Sequence, residues 1–307
     1  MFSKRPLTTP SEIVPVFPAG TAIPKIIHQT YPDAHQNLPS ILEENVQRIK
    51  ALNPGWEHRL YDDVDIAEFI ESTYGPRVLD YYNRLNGKYG AARADLFRYL
   101  LLYRHGGVYL DIKASLERPL DSVLLPDDVY LLSRWRNGKG EPFEGWGIHS
   151  RLRKIGRQEF QQWHIIAAPG HPFLRAVIER VLRNIDSYSP AWHETGRSGV
   201  LGLTGPIAYT LAITPLLRQH RHRLVDSHDE LGLIYSIFTS AIYEAHKSVF
   251  KYHYTELTEP VVKVSGTRKL LWVLIGPIQI HIVRRVEHVI DAIVRRLQGR
   301  RDPRRQA

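Results

Sequence analysis

The chain of 307 residues contains no cysteine. Disulfides, thiolate zinc sites and a cysteine nucleophile are therefore excluded. That absence suits a reducing compartment, and the expected location is cytoplasmic. There is no low-complexity tract and no internal repeat, so solenoids and flexible linkers are set aside. No run reaches the roughly 20 apolar residues that a membrane-spanning helix needs. Residues 1–22 lack the continuous apolar core of a signal peptide and, broken by proline, read as an irregular leader.

What is present is an ordinary globular composition with an uneven charge. Hydrophobic residues make up 43% of the chain, enough to bury a sizeable core. The net charge of +9 is concentrated at one end: residues 284–307 carry eight arginines against three acids.

Local patterns divide the chain into alternating elements. Ile23–Thr30 is β-branched and reads as a first buried strand. Pro39–Leu52 has helical apolar spacing, stopped by Asn53-Pro54-Gly55. Trp56–Tyr61 reads as a second strand, and Asp62-Asp63 as a cap for a helix over Val64–Ser72. A helix around Arg77–Leu85 follows Gly75-Pro76, and another spans Ala91–Arg104 up to Gly106. Val108–Ile112, Val129–Ser133 and Trp163–Ala167 read as strands, with Pro172–Ile185 helical. Helix is expected over Pro206–Arg218, and short strands near Leu231–Tyr235 and Val261–Val264. Alternation of this kind favours an α/β fold with a mostly parallel central sheet and helices on both faces. The 26 residues Arg134–Glu159, rich in Gly, Trp and Arg, are too long for a simple connection and read as a functional lid or an unstructured insertion.

The chemistry concentrates in Ala94–Asp121. Asp95 and Arg98, three residues apart, share one helical face. Gly106-Gly107 permits a tight turn into a strand that delivers Asp111 and, two residues later, Lys113. Ligands of open α/β sheets bind beyond the carboxyl ends of strands. One short segment can therefore aim two carboxylates, a guanidinium and an ammonium at one crevice. Carboxylates can receive sugar hydroxyls or a hard cation, and the cations can neutralise a diphosphate. Taken singly, Asp95 and Arg98 could be a surface ion pair and Asp111 a turn cap.

The segment ARADLFRYLLLYRHGGVYLDIK resembles the defining block of the DXD-type sugar transferases of glycosyltransferase family 32, the group of initiating α-1,6-mannosyltransferases and many bacterial capsular polysaccharide enzymes. IPKIIHQTY at Ile23–Tyr31 looks like the first strand of that family, and TGPIAYT at Thr204–Thr210 like a later block. The resemblance covers about Ile23 to Pro206, with a looser match near Phe250–His253. It implies a GT-A type nucleotide-diphospho-sugar transferase fold over residues 23–269 and retaining transfer of a hexose. It also implies donor contacts from Asp95 and Arg98, with Asp111 as first aspartate of the DXD pair. Manganese or magnesium would be the cofactor so implied, held by Asp111. Lys113 stands where the family usually has its second aspartate. An ammonium cannot ligate a cation, so Lys113 replaces the metal as a point charge, swings aside, or marks a degraded site.

Further candidates are weaker. His28 and Gln29 end the first strand, where donor base or ribose would lie. Gly205, before Pro206, would open a helix N-terminus to an anion. His253 is a candidate metal or diphosphate ligand by its place in the chain. Trp135, Arg136, Trp146 and His149 in the long loop could stack on sugar or grip phosphate. Residues 270–307 form an apolar, then basic and amphipathic tail. It fits either an anionic membrane surface at its inner face or the protein's own core. The partners expected are a nucleotide-sugar donor and a saccharide or lipid-linked acceptor. Nucleic acid is not expected, since no aromatic platform flanks the arginines. The rival readings are a glycoside hydrolase and a non-catalytic sugar- or nucleotide-binding relative; the cations beside Asp95 and Asp111 disfavour the hydrolase, because they would keep both carboxyls ionised and leave no general acid.

Overall fold

Residues 9–190, 194–238, 257–266, 269–270 and 272–274 are described by the computed structural model. A four-residue helix, α1 (Pro10–Ile13), opens the described chain. It is followed by β1 (Ile26–Thr30), α2 (Ser40–Leu52), β2 (Glu57–Tyr61), α3 (Asp63–Tyr74), α4 (Pro76–Arg84) and α5 (Gly90–His105). Next come β3 (Gly107–Leu110), β4 (Ser115–Leu116), β5 (Tyr130–Leu132), β6 (His164–Ala167) and α6 (Pro172–Ser187). The last elements are α7 (Gly196–Leu203), α8 (Pro206–Ile213), β7 (Arg223–Leu224) and β8 (Leu233–Ile234).

Six strands form one sheet in the order β2-β1-β3-β6-β5-β7. Three of its five neighbouring pairs are parallel; β6 runs antiparallel to both β3 and β5. The expected α/β architecture with a mostly parallel sheet is therefore present, as a mixed sheet. Alternation along the strands serves two faces. Tyr109, Tyr130, Leu132, Ile165 and Ala167 join the main core with α3 to α8. Ile27, Val108, Leu110, Leu131 and Ile166 join a second core that includes Ile49 of α2. Helices thus cover both faces; among the described residues α2 is the α-helix that contributes to the second.

Several boundaries moved for physical reasons. Asp62 accepts from the backbone N–H groups of Val64 and Asp65, so α3 starts one residue early and runs to Gly75. The helix expected over Pro206–Arg218 stops at Ile213 and tightens into a 3-10 turn. The strand expected at Val261–Val264 is a single bridge, Val262 to Leu85. Gly196–Leu203, β4 and β7 have too little periodicity to be read. The leader is not detached: Val14 lies in the main core and Gly20 donates to the Pro169 carbonyl at 2.8 Å. Gly196–Leu216 is long and apolar enough, by length and composition, to cross a membrane, but 61% of its apolar window is buried inside the protein. The basic tail beyond residue 283 lies outside the described residues.

Two glycines set the turn that the site depends on. Gly106 ends α5 at φ +65° and Gly107 begins β3 at φ +98°. A Cβ on Gly107 would meet the Ile26 carbonyl oxygen at 2.5 Å, and one on Gly106 the Pro169 nitrogen at 2.7 Å. Only glycine lets β3 settle against β1 here.

Candidate functional site

A cleft of about 1100 Å³ opens beyond the carboxyl ends of β1 and β3. Thr30 and Tyr31 reach it from β1, and Asp111, Ile112 and Lys113 from the end of β3. Because β6 runs the other way, its leading residues Gln162 and Trp163 arrive at the same edge. The Trp163 carbonyl accepts from Asp111 N–H at 2.8 Å, fixing where the strand ends.

Asp95, Arg98, Asp111 and Lys113 all line this cleft. The first two are no surface pair: α5 is buried on nearly every side from Ala92 to Tyr103, and both side chains are under 5% exposed. The Arg98 guanidinium bridges the two acids, with Nη2 at 3.2 Å from Asp95 Oδ1 and 3.1 Å from Asp111 Oδ1. Its Nη1 donates to the Gln162 carbonyl at 2.6 Å, and its carbon lies 4.6 Å above the Tyr109 ring. Burial alone would lower its pKa, but Asp111, Tyr109 and Asp95 outweigh that and raise it further.

Asp95 is tied on its remaining sides. Gln162 Nε2 donates to Oδ1 at 3.0 Å and Thr204 Oγ1 to Oδ2 at 2.8 Å. Burial pushes the carboxyl up from the usual range, against the pull of Arg98 and these two donors. Asp111 differs, with its side chain 26% exposed to the cleft. Lys113 is half-buried and points at a residue the sequence did not suggest. Its Nζ lies 3.1 Å from the Tyr235 hydroxyl and 4.3 Å from the centroid of that ring. The pairing of β4 with β8 brings Tyr235 there, reinforced by Ile237 N–H donating to the Lys113 carbonyl at 2.8 Å.

The other candidates fall elsewhere. His28 and Gln29 are fully buried and do not line the cleft. His28 Nε2 lies 3.0 Å from the Gly106 carbonyl and Nδ1 3.0 Å from the Tyr61 hydroxyl. A carbonyl only accepts, so Nε2 carries the proton and Nδ1 accepts. Burial lowers the pKa of this imidazole to about 3. Gln29 Oε1 is engaged by His58 Nε2 at 2.9 Å, and its amide reaches the Asp111 carbonyl at 3.4 Å. Both therefore support the strand ends from inside. Gly205 is buried, and its N–H is used by the Val200 carbonyl at 2.9 Å. In that segment Thr204 touches the site, through Asp95, and Pro206 lines the cleft. His253 lies outside the described residues.

A divalent cation fits poorly around Asp111. The carboxylate is already held by Arg98, and Lys113 replaces the neighbouring acid. Among the described residues, the one grouping with metal-ligand spacing is His35, Asp62 and Asp65. There Asp62 and Asp65 cap α3 and Asp65 pairs with His35, and none of the three lines the cleft.

The long loop is folded, and it walls the cleft. An antiparallel bridge joins Ile148 to Gln158, and Ser150–Ile155 forms a 3-10 turn. Trp135, Phe143, Trp146 and Tyr235 pack edge to face or tilted, with centroids 4.9 to 6.4 Å apart. Trp146 remains 49% exposed. Arg136 pairs outward with Asp229 at 2.6 Å and does not line the cleft.

Part of the segment that builds this cleft is similar to known proteins. A family described as a glycosyltransferase sugar-binding region containing a DXD motif matches residues 39–130. A mannosyl phosphorylinositol ceramide synthase of Saccharomyces cerevisiae is 30% identical over 62% of this chain and 41% of its own length. An initiation-specific alpha-1,6-mannosyltransferase of Candida albicans is 30% identical over 52% of this chain and 42% of its own. The chain thus spans about two fifths of these curated relatives. Among solved structures, the PaToxG glycosyltransferase aligns over 84% of this chain and 86% of its own, with a TM-score of 0.47 and 15% identity. The β3 turn and the four side chains that line the cleft fall within or beside the matched segment, so over residues 39–130 this chain is similar to the DXD-motif glycosyltransferase family.

Proposed function

We propose that the chain is a retaining glycosyltransferase of GT-A type that moves a hexose from a nucleotide-sugar donor to a saccharide or lipid-linked acceptor, in polysaccharide or glycoconjugate biosynthesis. The observation that carries this reading is the Arg98 bridge. A buried guanidinium fixes one inner and one cleft-facing carboxylate at the end of β3, beside an ammonium held by Tyr235.

The roles follow from exposure. Asp111 is the carboxylate that meets donor hydroxyls, and Lys113 is the fixed positive charge for the diphosphate. Asp95 and Arg98 are positioning residues behind them. As the anomeric C–O bond breaks, its electron pair passes to the diphosphate oxygen, and charge grows beside Lys113. The acceptor oxygen bonds to the same face of the sugar, and its proton goes to the departing phosphate oxygen. Lys113 therefore does here what a second aspartate and its cation do elsewhere, and dependence on manganese or magnesium is weak. Residues 23–269 are the transferase domain. The basic tail brings it to an anionic membrane surface from the cytoplasmic side, which suits a lipid-linked acceptor.

The relatives are named for mannosyl transfer, so GDP-mannose is the first donor to test, followed by UDP-glucose and UDP-galactose. Titration by calorimetry, with and without manganese, is expected to show binding that chelator leaves largely intact, together with turnover. Binding without turnover would identify a non-catalytic relative. Sugar release from an oligosaccharide without any nucleotide would identify a hydrolase. Lys113→Asp is expected to make donor binding more metal-dependent; an unchanged response to chelator would remove the charge-replacement role.

A further inference from the structure

The cleft has a second polar group that the donor chemistry does not use. Glu159 is buried, with a side chain only 8% exposed, and lines the cleft with His149. Its Oε1 accepts from Trp135 Nε1 at 2.7 Å, and its Oε2 lies 2.5 Å from His149 Nε2. A carboxylate between two ring nitrogens accepts from both, so Nε2 of His149 carries the proton. Nδ1 is left as the other ring nitrogen, and among the described residues it has no hydrogen-bond partner.

The backbone holds this pair rigidly. Glu159 N–H donates to the Gly147 carbonyl and His149 N–H to the Arg157 carbonyl, both at 2.9 Å. Gly147 sits at φ +67°, and a Cβ there would lie 2.3 Å from Trp135 Cδ1 and 3.0 Å from Glu159 Cγ. The loop thus closes onto Trp135 as tightly as it can. Trp135 in turn meets Tyr235 edge to face at 5.1 Å, and Tyr235 holds Lys113. Contacts therefore run unbroken from the ammonium at the donor end to the imidazole at the other.

We infer that His149, oriented by Glu159, accepts a hydrogen bond from the acceptor through Nδ1, and that the Trp135–Trp146–His149 end of the cleft is a subsite for a ring polyol. A ring polyol offers an apolar face and a rim of hydroxyls. The half-exposed Trp146 suits the face, and a lone pair on Nδ1 suits one hydroxyl. Glu159 is a positioning residue; it sets the tautomer and touches no acceptor.

The inference rests on the nucleotide-sugar reading of the same cleft, and one set of variants separates the two. His149→Gln can still donate to Glu159 from near the Nε2 position but offers nothing at Nδ1. His149→Asn does the reverse. The full chain, saturated with GDP, is titrated with methyl α-mannopyranoside and with myo-inositol, and binding is followed by saturation-transfer NMR. Donor affinity for GDP-mannose and the unfolding midpoint are measured in parallel. The wild type is expected to bind at least one polyol. Binding of the mannoside alone points to a saccharide acceptor, and binding of inositol alone to a cyclitol headgroup. His149→Gln is expected to lose about tenfold in that affinity, the size of one hydrogen bond. Its donor affinity and unfolding midpoint should stay at wild-type values, while His149→Asn recovers part of the loss. Wild-type polyol affinity in His149→Gln, or no polyol binding by the wild type, overturns the inference. Failure of the wild type to bind any nucleotide sugar would instead strike the donor reading.

Discussion

The two ends of the cleft are built on opposite plans. At the donor end, Asp95 and Arg98 project from a helix buried on nearly all sides, and Asp111 directly follows the last residue of a central strand. Their charges satisfy one another before any ligand arrives. At the aromatic end, Trp135, Trp146, His149 and Glu159 come from one long connection, and Tyr235 from a short edge pair. There an aromatic face stays half exposed and, among the described residues, one ring nitrogen has no partner. The contrast teaches that preorganised charge is housed in regular structure, where a small displacement is costly. Selectivity is housed in a loop that can change without disturbing the core.

Four substitutions or titrations press on that contrast, the largest effect first. Arg98→Ala removes the bridge and leaves Asp95 as an uncompensated buried acid. It is expected to cost roughly 3–5 kcal/mol of stability and to abolish transfer, measured by urea denaturation and turnover. A loss within 1 kcal/mol would mean that the donor end is not the rigid one. Asp111→Asn should leave the fold intact yet lower kcat by at least about 10²-fold, because its side chain faces the cleft. Undiminished activity would take Asp111 out of the mechanism.

The third test concerns the support beneath the donor end. His28 is neutral in the folded protein with a pKa of about 3, well under its ordinary 6.5. Between those values the unfolded chain binds more protons, so stability falls as pH drops from 6.5 toward 3. The slope from this group approaches about 1.4 kcal/mol per pH unit. Half-buried His58 and buried His164 and His171, lowered in the same sense by burial, add to it. Unfolding midpoints for His28→Gln should show a shallower acid limb than wild type; parallel limbs would refute the assignment. Tyr235→Phe is the mildest change. It removes the hydroxyl on Lys113 but keeps the ring, so donor affinity should fall only about threefold, with Lys113 left as a looser charge.

Much of the donor end was legible in the sequence, because it depends on residues close along the chain. The spacing of Asp95 and Arg98 and the Gly-Gly turn into Asp111 are local facts, and so was the β–α alternation that made the sheet. What could not be read came from long range. Thr204 meets Asp95 from 109 residues away, and Tyr235 meets Lys113 from 122. His28 and Gln29 were expected at the ligand because they end a strand. They face inward because Gly106, Tyr61, His58 and the Asp111 carbonyl offer them partners there. Glu159 carried no sequence signal beyond closing a glycine-rich loop, and its role emerges only once Trp135 and His149 are seen on either side of it. The reversed direction of β6 was equally silent, since a strand's own residues do not state its polarity.

That reversal has an evolutionary consequence. A strand entering the sheet from the far side delivers the preceding connection straight onto the ligand crevice, where a parallel crossover would have carried it round the back. Lengthening, shortening or rewriting residues 134–159 would therefore change what is presented to an incoming molecule while the hydrogen-bonded frame around Arg98 stays in place. Lineages built on this plan can diverge in what they admit to the cleft and keep unchanged the charged frame beneath it.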